Sequence, residues 1–273
     1  MAHAIKASRA VPATAVEKPA YVNPPVHEVV VDVQFHRSLD EKPLRDLRGR
    51  LAERFPQAEQ MNLVQMEMAV GPSGPGYQNT IRQFGGWQFK RDGGWVLQTG
   101  PTALTLHLVR DAQQWPVGPY VGWTKIYEQY LWVHQTVLDL YGALEPKRAG
   151  LRYLNRIAIP LGENVTDWLA FKLQAPKLLH DLYTFQLRQT WARAGDHEDI
   201  GATVGLAKID VGDPAIAAEN YGVLLDIDMF NLWIQKAPSF ANMPDWLTRA
   251  HEVENGIFEG CLTDALRARF NKA

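Results

Sequence analysis

Two short stretches place fixed charge at strand periodicity. In LRYLNRIAI (151–159), Arg152, Leu154 and Arg156 point one way, while Tyr153, Asn155, Ile157 and Ile159 point the other, because side chains alternate along a strand. In LLDIDMF (224–230), Asp226 and Asp228 alternate in the same manner with Leu225, Ile227 and Met229. Glu28 and Asp32 share the polar face of HEVVVDVQF, a stretch whose other face carries Val29, Val31, Val33 and Phe35. Guanidinium and carboxylate groups at matching periods suit three chemistries. They can pair between neighbouring strands and hold register and packing. They can form a merely solvated face, or they can bind a carboxylate or phosphate. Pairing is the leading reading, with Arg152 and Arg156 bridging to carboxylates among Asp226, Asp228, Glu28 and Asp32. The candidate binding residues are therefore Arg152, Tyr153, Asn155, Arg156, Asp226 and Asp228.

Other chemistry finds few residues to carry it. The eight histidines include no His-Glu-x-x-His. His251 and Glu254 sit three apart in AHEVEN, at most half a metal site, and the simpler reading is a satisfied surface or interface histidine. His107 and His134 read as packing or capping residues. There is no Gly-x-Ser-x-Gly elbow, no Gly-x-Gly-x-x-Gly after a strand, and GPSGPGYQN lacks the Gly-Lys-Ser/Thr ending of a phosphate loop. Cys261 is the only cysteine, which excludes an internal disulfide and a thiolate-rich zinc centre. Its neighbours Ile257, Phe258 and Leu262 make it an inert core thiol. Gly256 and Gly260 have a spacing that would let another backbone approach closely. GDHEDI (195–200) reads as a solvated hairpin tip. No catalytic residue, metal or cofactor is predicted.

The elements that position the charged strands follow from periodicity. Folded structure is expected to begin at Pro24-Pro25, after a disordered tail over 1–22 that lacks the apolar core of a signal peptide. After the first strand, Leu44, Leu47, Leu51 and Phe55 recur at helical spacing, with Asp40 as N-cap and Pro43 in the first turn. Residues 62–70 alternate as a strand, FGGWQFKRDGGWVLQTG turns at Asp92-Gly93, and ALTLHLV continues the meander. A long helix over about 120–142 carries Ile126, Tyr130, Val133 and Val137 on one stripe. The order then recurs: a strand at 151–159, a short helix capped by Thr166, three strands, and one closing helix from Pro244 to Phe270. The expected fold is α+β, with two topologically similar β-α-β-β-β-α halves, 23–148 and 149–273, whose antiparallel meanders pack against long helices.

Several stretches together resemble a sporadically distributed family of bacterial and archaeal proteins of about 250 residues without an assigned activity. They are NPPVHEVVVDVQF, GLRYLNRIAIP, LLDIDMF and AHEVENGIFEGCLTDALRARF, and they span nearly the whole chain after the tail. Such a patchy distribution implies accessory genes, of defence systems or specialised biosynthetic clusters, and nothing about mechanism.

The net charge of −2 and a pI near 6.4 argue against broad binding to nucleic acid or anionic membranes. Nine tryptophans, among them Trp87, Trp95, Trp115, Trp191 and Trp233, supply either core or an aromatic groove, with core the default. The leading expectation is a cytoplasmic, non-catalytic binding or adaptor protein that presents a groove or charged sheet face to a protein or peptide. The alternatives are a small-molecule-binding protein or cofactor-independent enzyme with an aromatic pocket anchored by Arg152, Arg156 or Asp226, and a substrate-recognition subunit of a peptide-modifying enzyme.

Overall fold

Strand β1 (Val26–Phe35) lies in the middle of a nine-stranded sheet because both of its edges find antiparallel partners. The computed structural model describes residues 21–71, 74–110, 120–171, 184–231 and 237–271, with 63–83 described as backbone alone. After β1 come α1 (Glu41–Leu51), β2 (Gln57–Gly71), β3 (Gly74–Arg91), β4 (Trp95–Thr99), β5 (Ala103–Val109) and α2 (Trp123–Tyr141). Next are β6 (Pro146–Pro160), α3 (Val165–Trp168), β7 (Gln186–Trp191), β8 (Gly201–Ile209), α4 (Pro214–Ala217) and β9 (Asn220–Phe230). A 3-10 turn (Phe240–Asn242) leads into α5 (Met243–Cys261) and α6 (Asp264–Phe270). The strand order is β2-β3-β4-β5-β1-β6-β9-β8-β7, with every neighbouring pair antiparallel. The fold is mixed α+β.

One parity of side chains is buried along the central strands β4, β5, β1, β6 and β9, whereas the edge strand β7 is largely exposed. Val29, Val31 and Val33 of β1 lie level with Leu104, Leu106 and Leu108 of β5 and with Leu151 and Tyr153 of β6. Leu225, Ile227 and Met229 of β9 extend the same apolar face. Helices α1, α2 and α5 contribute Leu47, Val133 and Trp246 to the same core. Phe240 ties the layers together, with its ring 5.6 Å from that of Phe35 and its carbonyl accepting from His134 Nε2 at 2.6 Å. No described helix is long and apolar enough to cross a membrane.

Several expectations are corrected. The first meander has four strands, because the glycine- and proline-rich stretch after Gly71 re-enters the sheet at Gly74 as the second arm of a hairpin with β2; pairing to an existing strand overrides weak strand propensity. The β3–β4 turn does fall at Asp92-Gly93-Gly94, where Gly94 has φ +80° and a Cβ would lie 1.7 Å from the Val109 carbonyl oxygen, so only glycine fits. Asn164, not Thr166, is the N-cap of α3. The closing helix is two helices, because Leu262 is extended and the Thr263 hydroxyl caps α6 by accepting from Leu266 N. Gly256 and Gly260 face open space, so no backbone packs against them. Trp87 and Trp95 are buried in the core and Trp191 is exposed on the edge strand β7, whereas Trp115 and Trp233 lie outside the described residues.

Candidate functional site

The sheet face opposite the helices carries the charged residues, and a guanidinium from β6 reaches each flanking strand. Arg152 Nε and Nη2 donate to the two oxygens of Asp226, each at 2.7 Å. This pair is diagonal, since Arg152 lies directly opposite Asp228. Asp228 is instead held by Arg148, whose Nη2 donates to both its oxygens at 3.1–3.2 Å while Nη1 donates to Asp32 at 2.7 Å. One guanidinium thus clamps β1 to β9 across β6. Gly150 leaves room for the clamp: a Cβ there would sit 2.5 Å from Arg148 Nη1 and would make the guanidinium shift.

Side chains from β1 and β5 complete the lattice. Asp32 also accepts from Thr105 Oγ1 at 3.1 Å and Gln34 Nε2 at 3.2 Å. Glu28 lies 2.8 Å from His107 Nδ1, and that hydrogen bond holds its carboxyl below the usual range. Burial pushes the Asp228 carboxyl up, against the pull of Arg148 and Arg152. The bond to Asp226 raises the Arg152 guanidinium further.

Arg156 does not join the lattice as expected. Its Nε is buried without an acceptor, and no carboxylate pairs with it among the described residues. It stands beside His27, whose imidazole is lowered by burial first and by the Arg156 charge second. The second bridging arginine is Arg148. Its parity with Arg152 was a usable signal, lost because the strand was expected to begin only at Leu151.

Tyr153 and Asn155 point into the core, so the six candidates do not form one site. Asn155 Nδ2 donates to the Leu225 carbonyl at 3.3 Å, and its Oδ1 is buried without a partner. The Tyr153 hydroxyl lies 3.2 Å from His251 Nδ1. Asn255 Nδ2 lies 2.9 Å from His251 Nε2; with the amide donating there, the imidazole proton is on Nδ1 and points to Tyr153. The His251 ring stacks on Trp123 with 4.2 Å between centroids. Glu254 Oε2 stands 3.8 Å from Nδ1, too far for a hydrogen bond. Burial takes His251 down to about 3 and Glu254 up to about 8, so both are neutral near pH 7.

His251 is satisfied, as expected, by Tyr153 and Asn255, but it sits at the edge of the core with its side chain only 15% exposed. Its helical stripe with Trp246, Leu247, Ala250, Glu254 and Phe258, all buried, was the available clue. Cys261 is a buried thiol pushed up to about 11 by burial. GDHEDI is not simply solvated, since Asp199 accepts from Arg249 Nη2 at 2.6 Å. Among the described residues, no group of three or more His, Cys, Asp or Glu is placed to hold a metal ion.

No protein-family model matches the chain, and a search of curated proteins returned no match.

The Arg152–Asp226 pair should couple weakly. The Arg152 side chain is 43% exposed, so a double-mutant cycle to alanine should give about 0.5–1.5 kcal/mol, above a typical surface pair because the contact is bidentate. A coupling near zero in chemical denaturation would mean that the geometry adds nothing to stability.

Proposed function

We propose that this is a non-catalytic binding protein that docks another protein on the uncovered face of its sheet. One observation carries the reading: ion pairs link β1, β6 and β9, and hydrogen bonds from Thr105 and His107 extend the lattice to β5, on a face that no described helix covers. Groups already held in pairs lose little rotamer entropy when a partner arrives, which favours recognition through a preorganised surface. On the strands with described side chains this face carries Glu28, Asp32, Glu59, Asp226 and Asp228 against Lys90, Arg148, Arg152, Arg156 and Arg188, so acids and bases balance. The matching partner surface is polar and carries charges of both signs in complementary positions, which favours register-specific, salt-dependent association.

The same proposal treats residues 23–148 and 149–273 as two related α+β units. In its support, β1 pairs with the last meander strand before α2, namely β5, as β6 pairs with the last strand before α5, namely β9. The first strands β1 and β6 then join the two units in the middle of the sheet. Membership in the sporadically distributed family, a cytoplasmic location and an accessory defence or biosynthetic setting belong to this proposal as well.

The test compares wild-type bait with Arg152→Glu in affinity purification from the native host, with Arg45→Glu on the exposed side of α1 as control. A protein retained by wild type and Arg45→Glu but lost from Arg152→Glu, with binding that weakens as salt rises, is the expected result. A captured set unchanged by Arg152→Glu, or no captured protein at all, overturns the reading.

A further inference from the structure

On the helix-covered side, Arg91 at the end of β3 and Arg54, just beyond α1, open onto one cleft of about 270 Å³. Trp95, Lys125, Glu128 and Gln129 also line it. Arg91 Nη1 donates to Gln129 Oε1 at 2.9 Å, and its guanidinium lies 5.1 Å from the Trp95 ring centroid. The Arg54 guanidinium lies over Trp132 at 4.6 Å. The one carboxylate among the described lining residues, Glu128, is taken by Lys125 Nζ at 3.0 Å. Neither Arg54 nor Arg91 has a carboxylate partner among the described residues.

Gln129 is the decisive side chain. It is only 4% exposed, its oxygen is committed to Arg91, and its Nε2 is buried with no acceptor. An unmatched buried donor is costly, and here it lies in the wall of a cleft whose three cations face one carboxylate. Burial first, and the Arg54 charge second, lower the Arg91 guanidinium below its ordinary value, as expected of like charges facing each other without a counter-ion.

We propose that this cleft binds a small molecule carrying a carboxylate or phosphate group. Arg91, held in place by Gln129 Oε1, donates to the anion's oxygens, Arg54 supplies the second positive charge, and the Trp95 ring forms an apolar wall for the rest of the ligand. The volume falls below the roughly 300–1,000 Å³ of pockets for drug-sized ligands, which suits a small acid. The site is on the opposite side of the sheet from the docking face and does not depend on it.

Titration calorimetry on the full chain, with inorganic phosphate and separately with benzoate at matched ionic strength in sodium chloride, tests this. Saturable binding of at least one anion is expected, weakened tenfold or more by Arg91→Gln and several-fold by Arg54→Ala, and unchanged by Arg152→Glu. The anion that binds tells phosphate from carboxylate recognition. If Arg91→Gln does not melt like wild type, Arg54→Ala, an exposed position, decides alone. No saturable binding of either anion, or affinity unchanged in the deciding variants, overturns the proposal.

Discussion

Replacing Glu254 by glutamine will stabilise the protein at pH 7 relative to its effect at pH 4. The Glu254 side chain is 3% exposed, and burial alone raises its carboxyl from 4.5 to about 8. Between those values the unfolded chain has released this proton and the fold retains it, so stability falls as pH rises through the window. At pH 7 the cost is roughly 3 kcal/mol, about 2.5 units at 1.36 kcal/mol each, and glutamine removes it. His251 works in the opposite direction. Burial lowers its imidazole from 6.5 to about 3, so the unfolded chain takes up a proton below pH 6.5 that the fold refuses, and stability falls as pH drops. The two slopes oppose each other between about pH 4.5 and 6.5, where their contribution is flat.

The groups facing this pair do not alter those signs. The Tyr153 and Tyr120 hydroxyls are pushed further up by burial and stay neutral, and Trp123 and Asn255 do not titrate. Urea denaturation from pH 4 to 8.5 reads the effect as a difference between wild type and Glu254→Gln that opens above pH 4.5 and levels above about 8. His251→Asn should flatten the acid limb in the same comparison. A difference independent of pH would mean that the Glu254 carboxyl binds its proton equally well in the folded and unfolded chain, and so is not held neutral by burial.

On the open face, Arg148→Ala is the costly change, by about 2–4 kcal/mol. Its guanidinium is the shared counter-ion of Asp32 and Asp228, and its loss leaves two half-buried carboxylates on strands flanking β6. Asp228, already raised by burial, will rise further, so the penalty should shrink as pH falls and these carboxyls protonate. Arg148→Lys should recover less than half of the loss, because an ammonium lacks the planar fork that spans both acids. Gly150→Ala should reproduce part of the loss by placing a methyl group where Nη1 lies. An unchanged urea midpoint for Arg148→Ala would show that the clamp contributes no stability.

The sequence alone determined the α+β class, most strands and the two long helices, because burial on one face writes a period of 2 or 3.6 into neighbouring residues. Parity alone also put Arg152 and Asp226 on polar strand faces, and the two do pair. Tertiary structure decided the rest. Which carboxylate meets which guanidinium depends on register, and register depends on strands far apart in the chain: Asp32 of β1 falls opposite Gly150 and Asp228 of β9 opposite Arg152, so that Arg148, outside the expected strand, becomes the bridge while Arg156 finds no acid among the described residues. Likewise the helical spacing of His251 and Glu254 is local, but their neutrality comes from Tyr153 and Trp123 closing over them. Burial of charge is a property of the assembled layers, and no short window of residues carries it.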